Sequence, residues 1–362
     1  MKKMLSLIAM LCLLVACGEK LPDPEPAPAA PTITFSVQEL SAGAEGGELS
    51  VRVNASAVWS VETDGQDWYS LTTATQIYKG ESILRVSVQA NRSFEARRAA
   101  LHFKSGDKEE QLAIVQEARA ADAYVPAGYQ LVWADEFSAT SNELTSKWRF
   151  EDWAPGRVNH ELQRYVPDDR RTAFVKDGAL NIVACKDGNQ VISARMNSRG
   201  SWLYGYVEAA IRLPKGKGTW PAFWMMPDDF SKGWPACGEI DIMEEVGVNP
   251  DYTSSSIHCT SYNHVKGTQK TAERLTSGAE NEYHVYALEW TEDYIKTYVD
   301  GEKLLEFKND KAGNDDTWPF NKKFYIILNL AWGGDWGGMN GVNESALPCT
   351  MQVDYVRVYQ KQ

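Results

Sequence analysis

The sequence predicts an all-β protein that consists of two β-domains in tandem. Short runs of residues alternate between apolar and polar side chains, and Gly, Asn and Asp turns separate them, both before residue 117 and again from Tyr129 onward. No apolar stripe with the period of an α-helix continues for more than a few turns. Because 43% of the 362 residues are hydrophobic and 11% are aromatic, the chain can bury the cores of both domains.

Residues 1–17 have the pattern of an export signal. Lys2 and Lys3 form a basic start, and the apolar run 5–15 that follows is too short to span a membrane. The signal ends in the tetrapeptide LVAC, which resembles a bacterial lipobox with Cys17 as the lipidated residue. We therefore expect a lipid-anchored protein on a bacterial outer membrane that faces the cell exterior. The alternative is a secreted protein with an incidental Cys at the cleavage site.

The segment that follows the signal predicts a stalk and a small domain. Residues 18–31 contain five prolines among Glu, Asp and Ala, a composition typical of an extended, semi-rigid linker. Residues 32–117 contain short alternating strands at regular spacing, which predicts an immunoglobulin-like β-sandwich. This segment resembles a BACON domain in Trp68, in residues 91–98 and in the closing tripeptide IVQ at 114–116.

Two tryptophans of the small domain, Trp59 and Trp68, could either bind glycan or fill the core. A short sandwich needs large central residues, so we expect both in the core. Residues 118–128 are rich in small residues and predict a linker, so the second domain covers residues 129–362.

The second domain contains an unusual acidic strand, with Glu239, Asp241, Glu244 and Glu245 interleaved with large apolar residues. On a regular strand Glu239, Asp241 and Glu245 share one face, whereas a β-bulge after Asp241 brings Glu244 to that face instead. The period alone does not choose between them. Neighbouring carboxylates push their pKa values apart, which suits glycoside hydrolysis because it needs one protonated and one ionised acid. A solvated edge strand is the alternative.

The acidic strand stands among ordered motifs that resemble glycoside hydrolase family 16, in its laminarinase and mixed-linkage β-glucanase branch. The family pattern E-x-D-x-x-E matches Glu239, Asp241 and Glu244 in the bulged form. Further matches are DEF at 135–137, NHELQ at 159–163, YGYVEAAIRLPKGKGTWPAFWMMP at 204–227, LNLAWGG at 328–334 and VDYVRVY at 353–359. The resemblance covers about residues 129–360. It implies a β-jelly roll of two curved sheets, whose concave face is the sugar groove.

The resemblance also implies an activity, a retaining endo-β-glucanase acting on β-1,3- or mixed-linkage β-1,3/1,4-glucans. Glu239 would be the nucleophile and Glu244 the acid and then the base, while Asp241 would orient Glu239 and help to set both pKa values. An endo-galactanase or a transglycosylase of the same fold is the first alternative, although no basic residues cluster as a sulfated galactan would require. A non-catalytic surface glycan-binding protein is the second, and the intact acids argue against it.

Four tryptophans are candidates for sugar stacking. Trp220 and Trp224 are four residues apart on a predicted strand and so share a face. We expect one of this pair to lie mainly in the core. Trp332 and Trp336 bracket the Gly-rich loop GGD, and because such a loop is hard to bury, at least one of them should line the groove.

Polar candidates come from three further segments. Asn159 and Glu161 either bind sugar hydroxyls or cap a loop. Arg195 and Arg199 are either ligand contacts or partners in structural ion pairs, and we include Arg199 among the binding residues. The resemblance implies that His258, on the strand after the acidic one, lies near the acid/base.

The resemblance implies one structural metal, a Ca²⁺ bound by Asp354 with backbone oxygens near Glu136 and Gly178. No cofactor for catalysis is implied, and no Cys or His spacing is typical of a zinc site. The remaining cysteines, Cys185, Cys237, Cys259 and Cys349, leave three disulfide pairings open, and buried free thiols are equally compatible. The net charge of −12 argues against a nucleic-acid partner. We expect a monomer.

Overall fold

The structure is a computed structural model, and it describes residues 29–74, 76–77, 79–91, 96–120, 122–137 and 144–361. The predicted export signal with Cys17 and most of the predicted stalk lie outside these residues. The described chain divides into two compact units. One unit contains 29–40, 48–87 and 99–114, and the other contains 41–47, 88–98 and 115–361, apart from the gaps given above.

The described residues up to Gln116 contain nine short strands with the expected alternation of buried and exposed side chains. They are β1 Ile33–Phe35, β2 Glu39–Ala42, β3 Gly47–Ala55, β4 Trp59–Thr63, β5 Tyr69–Leu71, β6 Gln76–Ile77, β7 Gly80–Val88, β8 Arg97–Ser105 and β9 Lys108–Gln116. They form a four-stranded sheet in the order β1-β3-β7-β5 and a five-stranded sheet in the order β2-β9-β8-β4-β6. Trp59 and Trp68 are buried, so their predicted place in the core is confirmed.

The rest of the chain contains seventeen more strands among the described residues. They are β10 Tyr129–Asp135, β11 Trp148–Phe150, β12 Arg164–Tyr165, β13 Ala173–Lys176, β14 Ala179–Asp187, β15 Gln190–Ser193, β16 Arg195–Trp202, β17 Gly205–Arg212, β18 Thr219–Pro227, β19 Glu239–Glu244, β20 Tyr252–His258, β21 Lys270–Leu275, β22 His284–Trp290, β23 Tyr294–Val299, β24 Glu302–Lys308, β25 Phe324–Trp332 and β26 Cys349–Lys361.

These seventeen strands form two large sheets. One follows the order β12-β15-β14-β26-β17-β22-β23-β24, with β10 paired to β26 and β13 paired to β14. The other follows the order β11-β16-β25-β18-β19-β20-β21. One core of buried apolar side chains contains residues of both sheets, as a β-sandwich requires. The predicted all-β class and jelly-roll architecture are therefore confirmed.

The last strand, β26, holds the larger sheet together. It pairs with β17 along most of its length, with β14 through its first half and with β10 through its second half. The first and the last strands of the domain, β10 and β26, are therefore paired with each other in this sheet.

Helical structure is a minor feature of the described residues. The short helices are α1 Leu144–Lys147 and α2 Gly334–Gly337, and two single 3₁₀ turns span His264–Lys266 and Glu344–Ala346. Within the described ranges no helix has both the length and the apolar composition needed to cross a membrane. The four cysteines of the second domain are free thiols, and Cys237, Cys259 and Cys349 are buried.

Described residues of the segment 118–128, which the sequence predicts to be a linker, pack on the outer face of the larger sheet. Tyr124 and Val125 contact apolar side chains there, which explains why β17 and β22 are buried on both faces. The guanidinium of Arg119 lies 3.7 Å from the carboxylate of Asp300, and both side chains are almost completely buried. This segment is therefore part of the folded domain's surface layer.

Replacing Arg119 with Leu should destabilise the second domain by about 3 kcal/mol. The change leaves the buried Asp300 without this cation, and breaking a buried pair from one side is costly. Urea unfolding of the full chain, followed by tryptophan fluorescence, measures the loss. Arg164→Leu is the control, because its ion pair with Asp152 is exposed and should contribute little. Equal losses in the two variants would contradict a structural role for Arg119.

Candidate active site

The acidic strand β19 contains the β-bulge that the sequence allowed as one of two registers. Asp241 pairs with Trp224 on the neighbouring strand β18, whereas Glu244 pairs with Ala222, so three steps along β19 face two steps along β18. The pairing with β20 shifts between the same two acids. The bulge therefore brings Glu244, together with Glu239 and Asp241, to one cavity.

Glu245 is turned away from that cavity. Its side chain is fully buried, and one carboxylate oxygen accepts a hydrogen bond of 2.8 Å from the backbone N–H of Asp251. Burial raises the pKa of Glu245 to about 9, and the charge of Glu280 adds to this effect. A neutral carboxyl group on the far side of the strand is therefore expected at physiological pH.

Replacing Glu245 with Gln should make stability less dependent on pH. The folded state holds the Glu245 proton up to about pH 9, while an unfolded Glu ionises near its usual pKa of 4.5, so wild-type stability falls as pH rises through this window. The unfolding free energy of the variant minus that of wild type should therefore increase by up to about 1.4 kcal/mol for each unit that the pH rises. Urea unfolding between pH 5 and pH 9 measures it. Glu302→Gln, at an exposed position on β24, is the control and should leave the pH slope unchanged.

The three acids and His258 lie close together. Side-chain ligand atoms of Glu239, Asp241 and His258 are all within 4.8 Å of one another, and His258 Nε2 is 3.2 Å from Asp241 Oδ2. The indole N–H of Trp220 donates a hydrogen bond of 3.0 Å to Glu244. Glu244 therefore has Trp220 as its neighbour and Glu239 has Asp241 and His258, while Asp241 lies between the two glutamates.

Burial raises the pKa values of all three acids. The pKa of Glu239 rises to about 8 through burial and the charge of Asp241, and that of Glu244 rises to about 7 through burial, opposed by the Trp220 hydrogen bond. The pKa of Asp241 lies well above its usual value because the group is buried beside Glu244. Protonated carboxyls are therefore available near neutral pH, as a general acid requires.

The acids line a cavity of about 610 Å³ on the seven-stranded sheet. Aromatic, amide, imidazole and hydroxyl groups surround them, a mixture typical of carbohydrate sites. The lining residues are Asn159, Trp220, Glu239, Asp241, Glu244, Ser254, Ser256, His258, His264, Gln269, Thr271, Glu273, Asp335 and Trp336.

Trp220 and Trp224 are both partly exposed and both line the site. The expectation that one of them would lie mainly in the core is therefore wrong. Their spacing of four residues keeps them on the same face of β18, and that face forms part of the cavity. Trp336 packs edge-on against Trp220 with ring centroids 5.5 Å apart, so this pair forms one aromatic wall.

Trp332 does not line the cavity, and its prediction as a binding residue is wrong. It is 1% exposed and belongs to the core. The physical reason is that β25 continues as far as Trp332, so its side chain alternates inward with the rest of the strand. Trp336 lies beyond the end of β25, on α2, and reaches the cavity.

Asn159 and Glu161 both line the inner end of the site, as the sequence analysis expects of binding residues. Asn159 also has a structural contact, because its carbonyl accepts a hydrogen bond of 2.8 Å from the N–H of Asp335. Gln163 donates a hydrogen bond of 2.7 Å to Glu161, and burial raises the pKa of Glu161. These contacts hold the backbone of Asn159 and the side chain of Glu161 at the cavity wall.

Arg199 is not part of the cavity, so its inclusion among the binding residues is wrong. Its side chain is exposed and donates a hydrogen bond of 2.8 Å to the carbonyl of Thr145. The pairing of β16 with β25 shifts between Asn197 and Ser201, which breaks the alternation that would have kept Arg199 on the same face as Arg195.

Arg195, the other arginine that the sequence offered as a candidate, lines the site where Arg199 does not. Its guanidinium lies between the rings of Trp153 and Trp224, at 4.2 and 4.5 Å from their centroids, and it lines the inner end of the site. A cation between two aromatic faces is strongly held, so Arg195 forms a rigid wall.

Two groups of the site, His264 and Trp153, had no usable signal in the sequence. His264 lines the cavity, and its ring lies 5.3 Å from that of His258 and 4.8 Å from that of Trp234. Trp153 holds Arg195, as described above. These residues come from loops or from a 3₁₀ turn, where periodicity gives no information about direction.

The predicted Ca²⁺ ligands come from three segments that the strand register brings together. β10 ends with Asp135 opposite Val356, and β14 begins close to the pair Leu180 and Val353, so the two strands meet on either side of Asp354. The carboxylate of Glu136 accepts two hydrogen bonds from Arg357, which is compatible with a backbone oxygen at this position as the predicted ligand. The donor set fits a hard cation, and the Ca²⁺ site stays a prediction.

Comparisons with known proteins bear on both parts of the chain. Residues 163–357 match the family described as glycosyl hydrolases family 16, and residues 57–117 match the BACON family, described as a putative N-terminal binding domain. A β-glucanase of Rhodothermus marinus is 42% identical over 244 residues, which cover 64% of this chain and 85% of that protein. A glucan endo-1,3-β-glucosidase of Niallia circulans is 39% identical over 266 residues, which cover 65% of this chain but only 38% of that protein.

Solved structures give the same result. A non-specific endo-β-1,3(4)-glucanase of family 16 matches with 43% identity and a TM-score of 0.63, over 65% of this chain and 96% of that chain. That protein was crystallised as a variant with 1,3-β-D-cellobiosyl-glucose at its active site. The laminarinase of Rhodothermus marinus matches with 40% identity and a TM-score of 0.62, over 64% of this chain and 97% of that chain.

Proposed function

Because the chain belongs to glycoside hydrolase family 16, we propose that it is an endo-β-glucanase that hydrolyses internal bonds of β-1,3-glucans or mixed-linkage β-1,3/1,4-glucans. The observation that carries this proposal is the alignment of Glu239, Asp241 and Glu244 on one face of a bulged strand, at a cavity walled by tryptophans. A groove of this kind holds sugar rings by stacking and presents an acid and a nucleophile to one glycosidic bond.

The proposed reaction is a double displacement. Glu239 attacks the anomeric carbon while Glu244 transfers its proton to the leaving glycosidic oxygen, so the C–O bond breaks and a glycosyl ester forms on Glu239. Glu244, now ionised, removes a proton from water, whose oxygen attacks the same carbon and releases Glu239. Two inversions give net retention of configuration.

Asp241 supports the nucleophile in this scheme. It shares a hydrogen bond with Glu239 and faces His258 on its other side. The pKa values of both groups are raised by burial, and the attack needs the form of this coupled pair in which Asp241 carries the proton, donates it in a hydrogen bond to Glu239 and orients the ionised nucleophile. The pair therefore lowers the number of negative charges in the groove without removing the nucleophile.

A substrate panel tests the proposal directly. Purified protein is assayed for reducing ends on laminarin, barley-type mixed-linkage glucan, cellulose and agarose. We expect release from one or both of the first two and none from cellulose or agarose. Release from agarose alone would favour a galactanase, products longer than the substrate would favour a transglycosylase, and binding without cleavage would favour a glycan-binding protein.

We also propose that the protein is anchored through lipid on Cys17 and that Asp354 binds a structural Ca²⁺. The LVAC tetrapeptide after a basic and apolar leader supports the anchor, which would face the cell exterior from the outer membrane. Catalysis needs no cofactor in the proposed scheme.

Replacing Cys17 with Ala should release the protein from the membrane fraction without changing the activity of purified protein. The change removes the lipidated residue and leaves the leader's apolar run intact. Membrane fractionation and globomycin-type block of lipoprotein processing measure the effect. Cys12→Ala, inside the apolar run, is the control and should leave the distribution unchanged. Membrane retention of the Cys17 variant would exclude the lipobox.

A further inference from the structure

The larger sheet has a second cavity, of about 540 Å³, that shares no lining residue with the catalytic groove. It lies where the start of β10, the turn before β17, the turn between β22 and β23 and the end of β26 meet. Tyr129, Tyr204 and Tyr294 are partly exposed there. Three tyrosines at one cavity of this size are the kind of surface that sugar rings stack against.

A buried carboxylate fixes two of these rings. Glu289, which is 8% exposed, accepts a hydrogen bond of 2.9 Å from the hydroxyl of Tyr294, and a longer one of 3.5 Å from Tyr129. The other carboxylate oxygen of Glu289 accepts a hydrogen bond of 3.1 Å from the hydroxyl of Tyr298. Because the hydroxyls are held, the rings lose little freedom when a ligand binds.

The third ring belongs to Tyr204, a residue whose backbone conformation is strained. Tyr204 has φ of 61°, a left-handed conformation that bulky residues rarely adopt. Gln360 donates hydrogen bonds of 3.1 and 3.0 Å to the carbonyls of Leu203 and Tyr204, and the Tyr204 ring packs edge-on against Trp290 at 5.3 Å. The Tyr204 ring therefore has a fixed position, with one edge against Trp290 and part of its surface exposed at the cavity.

The polar groups of the cavity identify the chemistry of the ligand. Thr291, Gln360 and Lys361 offer hydrogen-bond donors, while Glu292 and Asp293 offer acceptors. Asp293 is paired with Lys311. Lys361 lines the cavity and Lys296 lies 3.8 Å from the Tyr294 ring centroid, so cations offset the two carboxylates. Tyrosine rings with both donors and acceptors and balanced charges suit the hydroxyls of a neutral sugar.

We propose that this cavity is a second, non-catalytic binding site for a neutral β-glucan chain. The inference rests on the proposed glucanase function, because the ligand is the enzyme's own polymeric substrate. A long chain that is held at this site raises the local concentration of its other segments at the catalytic groove, while a short oligosaccharide gains nothing from it. The site should therefore act on polymers and not on oligomers.

Two variants remove the tyrosine surface in the full chain. Tyr204→Gly deletes a ring and relieves the positive φ, which offsets part of the packing lost against Trp290. Tyr294→Leu deletes a second ring and keeps an apolar side chain. Tyr252→Leu is the matched control, because Tyr252 is 39% exposed on β20 and lines neither cavity.

The readout is kcat/KM on long-chain laminarin and on laminaritetraose, together with affinity electrophoresis in laminarin using a Glu239→Gln background. We expect Tyr204→Gly and Tyr294→Leu to lose at least fivefold on the polymer, mainly in KM, to keep laminaritetraose activity within twofold, and to migrate faster than their parent in laminarin gels. The control should match the parent throughout. Equal polymer-to-oligomer ratios in all forms would overturn the second site and leave the proposed function intact. No hydrolysis of laminarin, of laminaritetraose or of barley-type mixed-linkage glucan by the wild-type chain would overturn both.

Discussion

Replacing Glu239 with Gln should abolish glucan hydrolysis, with a loss of roughly 10³-fold or more in kcat. The amide has nearly the shape of the carboxylate but cannot form the glycosyl ester, so covalent catalysis is lost. Glucan binding should persist, because the tryptophan walls of the groove are unchanged. Reducing-sugar release and affinity electrophoresis in laminarin measure the two quantities on the same protein.

The control for this variant is Glu273→Gln. Glu273 lines the same cavity but lies on β21, outside the acidic strand, so its loss should change kcat only a few-fold. If Glu239→Gln retained a tenth of the wild-type turnover, Glu239 would not be the nucleophile.

Glu244→Ala should nearly eliminate hydrolysis of natural glucan, whereas Glu245→Gln should remain close to wild type. The bulge places Glu244 beside Trp220 in the cavity and buries Glu245 on the opposite side of the strand. General acid catalysis typically contributes 10²- to 10⁴-fold, so we expect a loss of about 10³-fold for Glu244→Ala. Kinetics on laminarin or mixed-linkage glucan measure it.

Two further measurements distinguish loss of the general acid in Glu244→Ala from misfolding of the variant. An aryl glucoside with a good leaving group needs little protonation, so it should recover much of the first step in Glu244→Ala, and azide should rescue the second step. Wild-type kcat/KM on natural glucan should fall as pH rises through about 7, where Glu244 loses its proton. A healthy Glu244→Ala together with an inactive Glu245→Gln would contradict the bulged register.

The motif order in the sequence was sufficient to predict the fold class and the family, since those depend on the alternation of side chains and on many ordered matches. The register of the acidic strand was not decidable from alternation, because a bulge of one residue exchanges Glu244 and Glu245 between the faces. Only the pairing of β19 with both of its neighbours resolves it.

The two wrong binding residues have related causes. Arg199 was misplaced because a register shift in β16 interrupts the period, and Trp332 because the end of β25 could not be located to within one residue. Loop residues such as His264 were missed for a third reason. Their direction depends on contacts between distant segments, here with Trp234 and His258, which no local pattern encodes.

The central position of β26 affects how the protein is made. Its partners include β10, the first strand of the domain, and β14 and β17, so the larger sheet cannot close until residues 349–361 have left the ribosome. Pairing of strands so distant along the chain is slow, because a long loop must close before any contact forms. The second domain of the nascent polypeptide should therefore stay unfolded until its last strand has been synthesised, whereas the small domain, whose last strand ends at Gln116, can fold earlier.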